Sequence, residues 1–224
     1  MFNKALEVLK ILNEHNYEAY IVGGYVRDSV LSRKTNDIDI CTSATPKEIL
    51  EIFDNVIVSD MHYGSVVISY KGCNFDVTTF RKEIKYESNR KPVKIKYIKD
   101  IKKDLLRRDF TINTLCINSI GQVLDILNIK EDLENKILKT VGNPRYRIKE
   151  DSLRILRCIR FATILDFDIE SKEMKVNTTR EKDRFIKHLG DTNKTPLNEQ
   201  KIPYLIEMKN LKVMSIEEKP EYSI

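Results

Sequence analysis

Two aspartates separated by one isoleucine, Asp37-Ile38-Asp39, are the residues whose types and spacing point most directly to chemistry. In an extended segment residues two apart face the same side, so both carboxylates project together. Like charges so placed are unfavourable unless a cation sits between them. Oxygen donors of this kind suit Mg²⁺, which keeps further sites for water and phosphate oxygens. Asp76, flanked by Phe75 and Val77 in an alternating segment, could supply a third carboxylate. Solvent-facing aspartates on an edge strand would show the same pattern.

Three other groups could act on an anion. Gly23-Gly24-Tyr25-Val26-Arg27-Asp28 stands between a short apolar run and a helical pattern. Glycines there let backbone N–H groups approach a phosphate, and Arg27 adds charge. A GG turn alone is weak evidence. Arg107-Arg108-Asp109-Phe110-Thr111-Ile112-Asn113 reads equally as a helix end followed by a capped turn. In Glu150-Asp151-Ser152-Leu153-Arg154-Ile155-Leu156-Arg157-Cys158-Ile159-Arg160-Phe161, one acid and three arginines recur at every third residue. Each such step rotates a helix by about −60°, so Asp151, Arg154, Arg157 and Arg160 would form a slowly winding ridge beside the apolar stripe. A row of arginines there resembles a ligand wall more than a solvated face.

These residues need elements to hold them. Leu6, Leu9 and Leu12 predict a helix over Asn3 to Asn13, followed by a strand Tyr20 to Val22 and a short helix Tyr25 to Leu31. Asp37 to Cys41 reads as a strand. Thr45-Pro46-Lys47-Glu48 is a capping box that starts a helix running to Phe53. Val56 to Val58, Ser65 to Tyr70 and Asn74 to Phe80 are further strands. Helices are expected over Asp100 to Arg107, Thr111 to Cys116 and Glu150 to Leu165, the last with the clearest apolar face. Beyond Asp166 the periodicity fades.

Composition narrows the class. The 224 residues are 41% hydrophobic and 33% charged, with 39 Lys+Arg against 34 Asp+Glu, a net charge of +5. Seven glycines and six prolines exclude low-complexity and collagen-like structure. No apolar run is long enough to span a membrane, and the first sixteen residues lack the layout of a signal peptide. A cytoplasmic location is therefore expected. From Arg81 to Phe110 there are 12 Lys+Arg and 5 Asp+Glu, so the whole positive surplus sits in that stretch. Such ground suits a polyanion, although a solvated lysine-rich loop has the same composition. Cys41, Cys73, Cys116 and Cys158 stand apart, Cys73 within a turn, and are expected to be reduced thiols, mostly buried.

Taken together, GG-x-VRD, DIDI ten residues after the arginine, RRDFTIN and EDSLRILRCIRF resemble the class II tRNA nucleotidyltransferases, the CCA-adding enzymes, a family that includes bacterial poly(A) polymerases. The resemblance covers about Tyr17 to Phe167, with the motifs in family order. It implies an α+β fold: a mixed-sheet, polymerase β-like nucleotidyltransferase head over residues 1–115, then a helical, nucleobase-recognising neck over 116–168. Residues 169–224 are expected to be divergent and weakly structured.

The resemblance also implies the activity: Mg²⁺-dependent addition of CTP and ATP to the 3′ end of tRNA without a nucleic-acid template. By it, Asp37 and Asp39 hold the metal, Asp76 is the candidate general base, Gly24 and Arg27 contact the triphosphate, and Arg108 the nucleotide. Asp151 and Arg154 read the base edge, with Arg157 and Arg160 as further nucleotide contacts. Two other activities fit the same motifs: poly(A) or partial CC- or A-addition, and binding of nucleotide or RNA without full turnover. The family continues past this helix into body and tail domains. The tRNA grip is thus expected to be reduced here, or supplied by a second chain.

Overall fold

The computed structural model describes residues 1–87, 91–151 and 153–170. Helix α1 (Phe2–Glu14) buries Ala5, Val8, Leu9 and Leu12. The leucines at three-residue steps drift around the helix, whereas this buried stripe alternates steps of three and four and stays on one face. Leu6 is accordingly only half-buried. Strand β1 (Ala19–Val22), helix α2 (Gly24–Val30) and strand β2 (Asp39–Thr42) follow. Helix α3 (Pro46–Ile52) begins with the expected capping box: Thr45 accepts from the Glu48 amide and the Glu48 carboxylate accepts from the Thr45 amide. Next come strands β3 (Val56–Asp60), β4 (Ser65–Tyr70), β5 (Cys73–Thr79), β6 (Arg81–Glu87) and β7 (Lys91–Tyr97). After helix α4 (Ile101–Leu105) the chain continues through β8 (Cys116–Ile117), β9 (Val123–Leu124), α5 (Lys130–Glu134), β10 (Ile137–Leu138), α6 (Pro144–Glu150), α7 (Leu153–Leu165) and β11 (Asp168–Ile169).

The fold is α+β around a mixed seven-stranded sheet of order β3-β4-β5-β2-β1-β8-β9. Its β2–β5 pair is parallel and its other pairs are antiparallel. Alternation along each strand divides the side chains between two cores. Ile21, Ile40, Val66, Ile68, Phe75 and Val77 join the main core with α1, α3 and α7. Val22, Cys41 and Cys116 point the other way, onto Phe80 and Leu105. Burial holds the Cys41 thiol well above its usual range and pushes that of Cys116 up to about 12, so both stay protonated. All four cysteines are free.

Several expectations change. Thr111 to Cys116 is not a helix: a 3₁₀ turn over Thr111–Asn113 leads into β8. Cys116 and Ile117 are taken by β1, where Val22 and Ile21 offer an unpaired edge, so the sheet draws its last two strands from beyond residue 115. Cys73 opens β5 rather than lying in the turn, which Lys71 and Gly72 form with positive φ. The helix expected from Glu150 is broken at Asp151, whose extended backbone separates α6 from α7. Much of the basic stretch is the antiparallel β6–β7 hairpin. The segment beyond residue 170 lies outside the described residues.

One buried carboxylate seats that hairpin. Asp104, on α4, has no exposed surface. Its Oδ1 accepts from the Arg81 amide at 3.0 Å and from Arg107 Nε at 2.8 Å, and its Oδ2 accepts from Arg108 Nη2 at 3.3 Å. Glu83 Oε1 binds both Arg81 and Arg107, closing the network. Gly64, at φ +73°, admits Tyr97, since a Cβ there would lie 2.7 Å from the tyrosine ring. Burial alone would raise the Asp104 pKa, but Arg107, Arg108 and the Arg81 amide outweigh it and hold the carboxyl below its usual 3.8.

Asp104→Asn keeps the shape but deprives Arg108 of its counter-charge and leaves Arg107 with Glu83 alone, and should cost about 3 kcal/mol in denaturant unfolding. The folded pKa lies below the unfolded value. The stabilisation is therefore complete above the usual 3.8 and lost as pH falls through the folded pKa. The gap between wild type and variant should close on acidification; a gap independent of pH would contradict the assignment.

Candidate active site

The parallel register of β2 and β5 sets Asp39 directly opposite Asp76. Partners in a parallel ladder face the same side, so these carboxylates share the sheet face of Cys41 and Thr78. Asp37 joins them from the segment before β2, not from the strand as its spacing suggested. Carboxylate oxygens of Asp37, Asp39 and Asp76 all lie within 4.8 Å of one another. Burial first, then repulsion from Asp37 and Asp76 against the pull of Arg108, raises the Asp39 carboxyl to about 6. Three oxygen donors at this spacing fit a divalent cation, which would relieve the crowding.

The glycine turn makes room for this cluster. Gly23 sits at φ +77°, and a Cβ on it would meet Asp39 Oδ2 at 3.3 Å and Arg108 Nη1 at 4.0 Å. A glycine here therefore lets the backbone approach the carboxylate in a conformation other residues resist. Arg108 reaches the same spot from the α4 side. Its buried Nε has no hydrogen-bond partner among the described residues.

These groups line one cleft of about 740 Å³. Gly24, Arg27, Asp37, Asp39, Arg108, Asp151, Arg154, Arg157 and Arg160 all line it, and Asp76 adjoins it through the carboxylate cluster. Arg27 is held from two sides: Nε and Nη2 donate to Asp28 at 2.9 and 2.8 Å, and Nη1 donates to Asn113 Oδ1 at 2.7 Å. Asn113 in turn donates to Asp109 Oδ1 at 3.3 Å, and Asp109 Oδ2 accepts from Arg157 Nε at 2.6 Å. RRDFTIN is thus a brace between the α2 arginine and the α7 arginine, not merely a capped turn.

Asp151 and Arg154 are less simply arranged than a continuous helix would make them. Asp151 Oδ1 accepts from the Leu153 amide at 3.0 Å, at the start of α7. Burial raises its carboxyl, against that amide and the nearby Arg154 and Arg157. Arg154 is buried, and its Nη1 donates to Glu150 Oε2 at 2.8 Å and to the Arg147 carbonyl at 2.7 Å. The ridge therefore consists of Arg154, Arg157 and Arg160, with Asp151 at its head but off the helix. Asp28, Asp104, Asp109, Asn113, Glu150 and Phe161 were not singled out from sequence. Asp28, Asp109, Asn113, Glu150 and Phe161 stand within the quoted motifs, whereas Asp104 gives no signal among so many lysines and arginines.

Residues 19–139 match the model of a family described as the poly A polymerase head domain. The chain is 42% identical over 173 residues to a CCA-adding enzyme of Enterococcus faecalis, covering 77% of this chain and 43% of that protein. It is 44% identical over 170 residues to a CCA-adding enzyme of Staphylococcus haemolyticus, covering 76% and 42%. Among solved structures it is similar to the Bacillus stearothermophilus CCA-adding enzyme in complex with CTP, with a TM-score of 0.74, 32% identity, and coverage of 92% of this chain and 52% of that one. A tRNA nucleotidyltransferase complexed with a primer tRNA and an incoming ATP analog gives a TM-score of 0.64 at 26% identity, covering 92% and 60%. The chain thus spans less than half the length of these curated relatives. Among the described residues, no helix is long and apolar enough to cross a membrane.

The crowding of Asp39 has a measurable sign. Its folded pKa, about 6, exceeds the ordinary 3.8, so the stability it contributes is complete below the lower value and lost as pH rises through the upper one. Ionised Asp39 therefore destabilises the metal-free fold near neutral pH. Asp39→Asn should stabilise chelator-treated protein there by about 1 kcal/mol, after allowance for solvent screening. Mg²⁺ or Mn²⁺ should raise the melting temperature of wild type and leave the variant nearly unmoved. A destabilised variant, or equal metal responses, would contradict the crowded-site reading.

Proposed function

The chain belongs to the poly A polymerase head-domain family, and on that footing we propose that its cleft transfers nucleotides from CTP and ATP to the 3′ end of tRNA, without a nucleic-acid template and with release of pyrophosphate. The observation that carries this reading is the convergence, in one cleft, of a three-carboxylate cluster with arginines from α2, α7 and the turn after α4. A carboxylate cluster alone would hold a cation; arginines alone would hold an anion. Both on one cleft suit a metal-bound triphosphate. The head would occupy residues 1–115, its sheet completed by β8 and β9 from a nucleobase-recognising segment over 116–168.

Asp37 and Asp39 would hold Mg²⁺, which would supply positive charge to offset the charge that builds on the leaving pyrophosphate. Asp76, exposed on β5, is the candidate acceptor of the primer hydroxyl proton. Gly24 offers close backbone approach, and Arg27, fixed by Asp28 and Asn113, offers positive charge that need not reorganise. Arg108, which lines the cleft and whose Nε has no partner among the described residues, is the candidate nucleotide contact. Arg157 and Arg160 line the same wall as further nucleotide contacts.

Base choice would lie with Asp151 and Arg154. Cytosine and adenine both present an exocyclic amine beside a ring-nitrogen acceptor, so a carboxylate can accept from one while a guanidinium donates to the other. Uracil and guanine place a carbonyl where the amine should be. Each unmet group costs about 1–3 kcal/mol, roughly fivefold to a hundredfold in affinity. Glu150 and the Arg147 carbonyl orient Arg154 for this task.

The test is incubation of the chain with tRNA lacking its CCA end, labelled nucleotides and Mg²⁺, followed by sizing of the product. Extension by C and then A is expected, with CTP and ATP favoured over UTP and GTP by about tenfold or more. Replacing both Asp151 and Arg154 by Ala should blunt that preference without abolishing triphosphate affinity. A long ladder of A would mark poly(A) addition instead. Equal use of all four nucleotides would defeat the base-reading assignment.

A further inference from the structure

We propose that Phe161 is the positioning residue that gathers Arg27, Arg157 and Arg160 into a single cationic wall for the polyphosphate of the incoming nucleotide; this rests on the reading of the cleft as a nucleoside-triphosphate site. The three guanidinium carbons lie 5.1, 5.5 and 5.1 Å from the centroid of this one ring. Helical spacing puts Arg157 and Arg160 beside Phe161 on α7, but Arg27 comes from α2, so no local helix rule brings all three together. Phe161 is 7% exposed. It is fixed from behind by an edge-on contact with Phe110 at 5.8 Å and 84°.

Three like charges around one side chain repel, and an aliphatic residue of similar volume would fill the space without offsetting that. An aromatic ring attracts guanidinium through its quadrupole at distances of this order. A guanidinium held over a ring is not consumed by the contact either, because its N–H donors lie in its own plane and remain available to phosphate oxygens. The three arginines differ in how much else holds them. Arg27 is tied to Asp28 and Asn113, and Arg157 to Asp109. Arg160 makes no ion pair among the described residues, so the ring is its anchor. The apolar stripe of α7 gives Phe161 the appearance of an ordinary core residue. Its place in the lining of the cleft, beneath three cations, sets it apart.

The test replaces Phe161 with mono-, di- and trifluorinated phenylalanine, which weaken the ring quadrupole stepwise at nearly constant volume, and measures CTP affinity in the whole chain with Mg²⁺ by calorimetry. We expect the dissociation constant to rise with each fluorine, reaching about tenfold for the trifluorinated ring. Cytidine monophosphate, which lacks the outer phosphates, should change less than about twofold, and melting temperatures should stay close to wild type. Phe161→Leu should weaken CTP as the trifluorinated ring does, and Phe161→Tyr should restore most of it. A flat fluorine series in protein that binds CTP normally would overturn the role of Phe161 and leave the nucleotide reading intact. Wild-type protein that binds no CTP would overturn both.

Discussion

Everything in the cleft depends on one register. Pairing β2 with β5 in parallel places Asp39 against Asp76 in the middle of the sheet, where strands on both sides and a core beneath forbid slippage. A one-residue slip of either strand would turn its carboxylate to the opposite face, into the main core, so the hydrophobic alternation that holds the sheet also holds the acids together. The cost of that fixed crowding is visible in the Asp39 carboxyl, raised to about 6 by burial and its acidic neighbours. Gly23 completes the constraint, since its turn stands where a side chain would press on Asp39.

Around this acidic floor four of the arginines are braced, each by a different acid. Arg27 has Asp28, Arg108 has Asp104, Arg154 has Glu150 and Arg157 has Asp109. Such pairing lowers the net field of the cleft but removes most of the entropy a long side chain would lose on meeting a phosphate. Asp104 extends the same logic outward, because the carboxylate that fixes Arg108 also receives the amide of Arg81 at the base of the β6–β7 hairpin. The basic hairpin and the cleft wall are therefore built on one buried charge.

The parts of this site that could be read from sequence are those whose chemistry is local. Asp76 between Phe75 and Val77 announces its face by alternation, and Thr45 with Glu48 announces a helix start; both stand in the structure as expected. Asp37 reached the right cluster by a route other than the one its spacing suggested. What could not be read depends on distance along the chain or on disguise. Asp109 meets Arg157 across 48 residues. Asp104 sits four residues from Arg108 within basic surroundings, the pattern of an exposed ion pair, yet it is fully buried. Cys116-Ile117 is too short to show a period, and β1 recruits it by offering an open edge. Asp151 ends one helix and caps the next, but the apolar pattern after it hides the break.

In the proposed reaction the acids gathered around the β2–β5 register perform transfer, while the arginines and glycine turn mainly bind. The most direct measurement is the single-turnover rate of incorporation of one CTP into tRNA lacking its CCA end by wild type and by Asp39→Ala, with CTP affinity measured on the same preparations. Transfer should fall by on the order of a thousandfold or more while CTP affinity stays within about tenfold of wild type. Extension by Asp39→Ala at a rate near that of wild type would contradict this division of roles.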